Sequence, residues 1–173
     1  MSKDLSNQID LIEKLVAFPS VSRDSNIELI QFVRRYLASH NIEASILHSE
    51  CGQKANLVAT IGPYVAGGIV LSGHPDVVPI DGQAWKSNPF SATQKSERLY
   101  GRGTSDMKSF CAIALSLIPE MVSLKTPIHL AFSYDEEVGC LGAPDMIEVI
   151  RNELPEPAGV IVGEPTSMAA VTA

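Results

Sequence analysis

Apolar positions along the chain recur with two spacings. Ile9, Leu11, Ile12, Leu15 and Val16 repeat as on one face of a helix, and Phe18-Pro19 stops the run, because the residue before proline is pushed out of the α region. Ser25 with Glu28 three residues on has the form of a capping box, and Ile27, Ile30, Phe32, Val33, Tyr36 and Leu37 carry a second helix to about His40-Asn41. Short apolar runs between turn residues predict strands over 43–47, 56–61, 68–72, 128–133 and 159–162, with a last short run at 168–172. Apolar periodicity predicts further helices over 108–122 and 143–151. Residues 79–100, with Pro79, Gly82, Trp85, Pro89 and Phe90 in a polar setting, read as a loop or short hairpin near a site.

Strands that alternate with helices imply an α/β fold, a three-layer α/β/α sandwich around a mostly parallel central sheet. A length of 173 residues with 45% hydrophobic content suits one domain. The net charge of −7 and the lack of a Lys/Arg stripe argue against nucleic acid as a partner. The polar start, Met1 to Gln8, leads straight into an amphipathic segment; neither a secretory signal nor a membrane span is read there, and a cytoplasmic location is the expectation. Cys51, Cys111 and Cys140 are odd in number and form no CxxC pair, which suits reduced thiols, Cys111 and Cys140 being read as buried. Any metal would then be held by nitrogen and oxygen.

Four segments that follow apolar runs carry the candidate chemistry: Ser72-Gly-His74-Pro-Asp76, Gly103-Thr-Ser-Asp106, Ser133-Tyr-Asp135-Glu136-Glu137 and Val162-Gly-Glu164-Pro165. Open α/β sheets gather their chemistry at the carboxyl ends of strands, so one imidazole, His74, and five candidate carboxylates, Asp76, Asp106, Glu136, Glu137 and Glu164, are expected to converge there. Without a cation those carboxylates repel and take up protons; a pair of divalent ions removes that penalty and points to a metal-dependent hydrolase. His74 and Asp76, two apart, lie on one side of an extended chain, which suits a metal-bound imidazole and the carboxylate that orients it. Asp106 opens a helix, where a carboxylate caps the helix and, having two oxygens, can also bridge ions roughly 3.5–4 Å apart. Glu136 and Glu137 point in different directions, so one can bind metal while the other takes a proton from water; spacing leaves open which does which. Glu164 is a further ligand candidate from its strand-end position.

Each of these residues has a plainer reading alone: a satisfied polar histidine, a helix cap, acids favoured by a helix dipole by about 0.3–1 kcal/mol, a turn acid. Their coincidence at four strand ends is what argues for metal. Met107, Met121 and Met146 read as core fillers, and His40, His48 and His129 as histidines outside the site.

Together with Asp81-Gly-Gln-Ala-Trp85 and the extensions to Lys108, Gly142 and Met168, these segments resemble the zinc-dependent peptidase family M20 over essentially the whole chain. The resemblance implies a zinc-exopeptidase-like fold and two zinc (or cobalt) ions. His74, Asp106 and Glu164 would hold one ion, and Asp106 and Glu137 would contribute to the other, with Asp106 bridging. Asp76 would orient His74, and Glu136 would be the general base that deprotonates a metal-bridging water and passes the proton to the leaving amine. A cis peptide at Asp106-Met107 is also implied. Within the family the motifs are most similar to those of members that hydrolyse N2-acetylornithine to ornithine and acetate, a step of arginine synthesis. Succinyl-diaminopimelate and other acylated amino acids are the sibling substrates.

Family catalytic domains are completed by a further ligand histidine downstream of an inserted lid or dimerisation domain. Residues 1–173 are therefore expected to be the amino-terminal portion of the catalytic domain, incomplete at the carboxyl end. The isolated chain is expected to be inactive, and the full-length enzyme a homodimer through the absent domain. Ser109 stands where the family usually has glycine, and Pro75 where it has a small polar residue. The rival readings are a noncatalytic metal-binding fragment and a metal-free hydrolase working through paired carboxylates.

Overall fold

A computed structural model describes residues 3–121 and 123–172. Two helices, α1 (Lys3–Val16) and α2 (Ile27–Ser39), precede strands β1 (Ala44–His48), β2 (Ala55–Ile61) and β3 (Ile69–Gly73). A small hairpin, β4 (Thr93–Lys95) and β5 (Arg98–Tyr100), leads to α3 (Lys108–Ser116), β6 (Ile128–Phe132), α4 (Ala143–Glu153) and β7 (Gly159–Val162). The central sheet has five strands in the order β1-β2-β6-β3-β7.

The strands alternate sides as their pleat requires. Leu57, Ala59 and Ile61 of β2 and Leu130 and Phe132 of β6 face one way, onto Leu11 and Leu15 of α1, Leu29, Ile30, Val33 and Leu37 of α2, and Ala112 and Leu115 of α3. Val58, Val70 and Ala131 face the other way, onto Met146 of α4. Three layers result, with the larger core under α1, α2 and α3. Leu15, Leu57 and Leu130 are fully buried, each burial being worth about 1.5–3 kcal/mol relative to exposure.

The expected sandwich is present, with a mixed rather than mostly parallel sheet. β6-β3 and β3-β7 are parallel, whereas β1-β2 and β2-β6 are antiparallel. The parallel half is the one that matters for the site, since it brings the ends of β6, β3 and β7 side by side.

Four local expectations change. The 168–172 run is turn and irregular chain, entered through left-handed Ser167 (φ 54) and Met168 (φ 63), not a strand. The helix expected over 108–122 ends at Ser116 and passes into a 3-10 turn, Ile118–Glu120, because Pro119 has no N–H to continue it; Val122 lies outside the described residues. The capping box does not form: Asn26 is the N-cap of α2, and Ser25 Oγ accepts only from Ile27 N, at 3.3 Å. The Asn26 side chain instead pairs with both backbone groups of Ala55, each at 2.9 Å. Cys140 is exposed, unlike buried Cys111. Among the described residues, no helix is long and apolar enough to cross a membrane.

Candidate metal centre

β3 ends at Gly73, opposite Phe132 of β6, and its neighbour Ser72 pairs with Val162 of β7. His74, the 135–137 turn and Glu164 therefore leave the sheet at one edge. Gly163 extends the β7 ladder by donating to Ser72 O at 3.1 Å, which sets the next residue, Glu164, beside His74. Glycine is needed at 163, since a Cβ there would collide with the Phe110 ring. Asp106 arrives from the side. It lies one residue before the α3 N-cap, Met107, and the Asp106-Met107 peptide is cis. The helix-capping reading of Asp106 is thereby corrected: its side chain faces the strand ends. Gly103, at φ +86, turns the chain into this approach with Val77 and Lys108 packed against it.

His74 is 1% exposed. Its Nε2 lies 3.3 Å from Asp106 Oδ1, 3.4 Å from Glu164 Oε1 and 3.7 Å from Glu136 Oε2. His74, Asp106 and Glu164 each offer a ligand atom, all within 4.8 Å of one another. His74 Nε2 and Asp106 Oδ1 are buried atoms without a hydrogen-bond partner. Two donors each about 2.1 Å from a tetrahedral ion stand about 3.4 Å apart, so the spacings and the two unpartnered atoms fit a divalent cation held by nitrogen and oxygen. Glu137 stands outside this three-donor group, in the same 3-10 turn as Glu136.

Behind the imidazole, Asp76 is 1% exposed and stands with Oδ1 3.6 Å from His74 Nδ1, while its backbone oxygen lies 3.1 Å from the same nitrogen. Ser22 Oγ donates to Asp76 Oδ2 at 2.6 Å, Glu136 N donates to Oδ1 at 3.2 Å and Glu137 N to Oδ2 at 3.4 Å. Residues 20–22 run beside this segment through a parallel bridge, Val21 to Val77, with Ser20 Oγ donating to Pro75 O at 2.6 Å. Burial raises the Asp76 carboxyl, but the hydrogen bonds from His74 and Ser22 outweigh it and hold the group below its ordinary value. Burial favours neutral His74; contacts with Asp76 and the charge of Glu136 outweigh that and raise it to about 9. Burial, then the charge of Asp106, raises Glu137. Burial likewise raises Glu164, with Asp106 and Glu136 adding to it against His74.

Ser22, Lys54 and Asn56 are site-supporting residues that the sequence reading missed. Asn56 Oδ1 accepts from Tyr134 N at 3.1 Å and its Nδ2 donates to Gly142 O at 2.7 Å, so it spans the loop that carries both glutamates. The polar Lys54 and Asn56 at the head of an otherwise apolar strand were the available signal. His40 caps the end of α2, and His48 ends β1. His129 is near the start of β6, with Nδ1 2.9 Å from Thr60 Oγ1.

Residues 70–173 match the sequence profile of peptidase family M20/M25/M40. The chain is 33% identical over 183 residues to an acetylornithine deacetylase of Klebsiella pneumoniae (strain 342), which covers 100% of this chain and 46% of the relative. Identity is 34% to the acetylornithine deacetylase of Shigella sonnei (strain Ss046), again over 100% of this chain and 46% of the relative. The chain thus spans about half the length of these curated relatives. A solved M20 family metallo-carboxypeptidase from Sulfolobus solfataricus superposes with a TM-score of 0.76 at 26% identity, over 94% of this chain and 37% of that one.

Proposed function

Because this chain belongs to peptidase family M20/M25/M40, we propose that it is the amino-terminal portion of the catalytic domain of a metal-dependent amidohydrolase that cleaves N2-acetylornithine to ornithine and acetate. The observation that carries the reading is the unpartnered His74 Nε2 facing Asp106 and Glu164. Identity of 33% to 34% with acetylornithine deacetylases supports the substrate.

In this reading His74, Asp106 and Glu164 hold one zinc or cobalt ion, and Asp106 with Glu137 contributes to a second. Such ions, when bound, lower the pKa of water toward ~7 and polarise an amide carbonyl. Asp76 keeps the imidazole turned so that Nε2 faces Asp106 and Glu164, and its buried carboxylate favours the tautomer that leaves Nε2 free to hold a metal ion. Glu136 accepts a proton on its carboxylate as water adds to the amide carbon, then delivers it to the nitrogen as the C–N bond breaks. Cys140 Sγ lies 3.5 Å from Glu136 Oε1, which leaves the Oε2 side turned toward His74.

A second reading, a metal-binding half that does no chemistry alone, is favoured by one observation. Among the described residues His74, Asp106 and Glu164 form the three-donor group, and Glu137 is outside it. The lid or dimerisation domain and the remaining ligands would belong to the carboxyl-terminal part of the full-length protein, a homodimer through that domain. Calorimetric titration of the metal-free 173-residue chain with zinc, together with an ornithine-release assay on N2-acetylornithine, tests both. One tight site without turnover is the expected result. No binding would overturn the metal reading, and turnover would overturn the half-site reading.

A further inference from the structure

The Asp76 carboxylate is held from two directions by segments far apart in sequence. Ser22 belongs to the strip beside the exit of β3, while Glu136 N and Glu137 N belong to the turn after β6. Lys54 lies on neither, just ahead of β2, yet its Nζ bonds to both: it donates to the Ser22 carbonyl and, at 2.8 Å, to Asp135 Oδ1. The Lys54 and Asp135 side chains are only 11% and 13% exposed. Asp135 has φ 55, in the left-handed region that aspartate tolerates better than most residues, and the turn carrying Glu136 and Glu137 starts from it.

A buried ion pair is a poor source of net stability, because desolvation offsets its attraction, but it fixes the relative position of the groups it joins. Here those groups are the two backbone strips that supply the hydrogen bonds to Asp76. Resting on the metal reading above, we infer that Lys54 is a positioning residue of the centre: by joining Ser22 O to Asp135 it sets the Asp76 carboxylate and, through it, the His74 imidazole. Ser49 Oγ accepts from Lys54 N at 3.1 Å and the Asn26 side chain pins Ala55, so the root of the lysine is itself held. The ammonium has three donors, of which these contacts use two, and its flexible stem reaches both acceptors from outside the turn.

Metal-free 173-residue chain titrated with cobalt chloride, with affinity and the visible d–d spectrum read together, tests the inference. Lys54→Met is expected to weaken cobalt binding about tenfold, as loss of a group supporting a ligand commonly does, and to shift the spectrum. The double variant Lys54→Met/Asp135→Asn leaves no unpaired buried charge and should show the same loss; it carries the test if the single variant does not fold. Met146→Ala, which opens a cavity on the far face of the sheet, lowers stability without touching the strips and should leave the cobalt affinity unchanged. Folded lysine variants with wild-type affinity and spectrum would overturn the positioning role and leave the metal reading intact. A wild-type chain that binds no cobalt would overturn both.

Discussion

Glu136 and Glu137 are chemically identical neighbours that a tight 3-10 turn sends in different directions, and the proposed division of labour rests on that turn. Glu136→Gln should leave zinc stoichiometry unchanged, whereas Glu164→Ala should remove the tight site; calorimetry on the two variants checks both outcomes. His74 and Lys108 give the metal-free chain two opposed pH dependences. The His74 imidazole, raised to about 9 when folded, titrates near ~6.5 when unfolded. It therefore contributes stability that is complete below the unfolded value and is lost as pH rises through about 9. Lys108 is pushed down to about 7 by burial, so the unfolded chain binds the extra proton between there and ~10.4, and stability rises with pH over that range. The two offset each other between about 7 and 9. Urea denaturation of metal-free His74→Asn should show stability climbing across that interval, where the unaltered chain is flatter; a flat variant would contradict the assignment. The convergence of His74, Asp106 and Glu164, whose ligand atoms lie within 4.8 Å of one another, was legible because each stands in a short motif of its own. Ser22 was not, since its partner Asp76 lies 54 positions away, nor was Lys54, 81 positions from Asp135.

The head of β2 acts as a latch. Ala55 takes the Asn26 side chain, and fully buried Asn56 clasps Tyr134 N and Gly142 O at the two ends of the glutamate loop. Removing that amide strands the buried Tyr134 N–H, which costs about 1–3 kcal/mol, and leaves Gly142 O with the longer bond from Met146 N at 3.4 Å. Asn56→Ala should therefore lower the thermal midpoint of the metal-free chain by several degrees, at roughly 2–4 °C per kcal/mol. Differential scanning calorimetry reads the shift, and an unchanged midpoint would mean the loop is held by other means. The strand and helix positions were largely legible from apolar periodicity. Strand direction was not, because β2 reads the same whether its neighbour β6 runs with it or, as found, against it. Nor did the 168–172 run show that it turns instead of pairing. Its apolar residues satisfy the compositional signal, and the left-handed Ser167 and Met168 are neither glycine nor asparagine.

At the scale of the molecule, β7 closes one edge of the sheet with Val160, Ile161 and Val162 each more than half exposed. An apolar edge strand with open backbone groups is a template for pairing between copies. The 173-residue chain should self-associate as its concentration rises, and Ile161→Lys should reduce this in light scattering; a chain that stays monomeric would remove the edge as the cause. The strand order also imposes a calendar on synthesis. β3 is flanked by β6 and β7, both of which are made after it. As the polypeptide leaves the ribosome, β3 therefore spends more than fifty residues of translation without either neighbour, and His74 hangs from its end with no wall on the β6 or β7 side. Glu164 joins His74 and Asp106 only when the last strand has emerged, so a nascent chain stalled before Gly159 carries two of the three clustered groups but cannot complete the cluster.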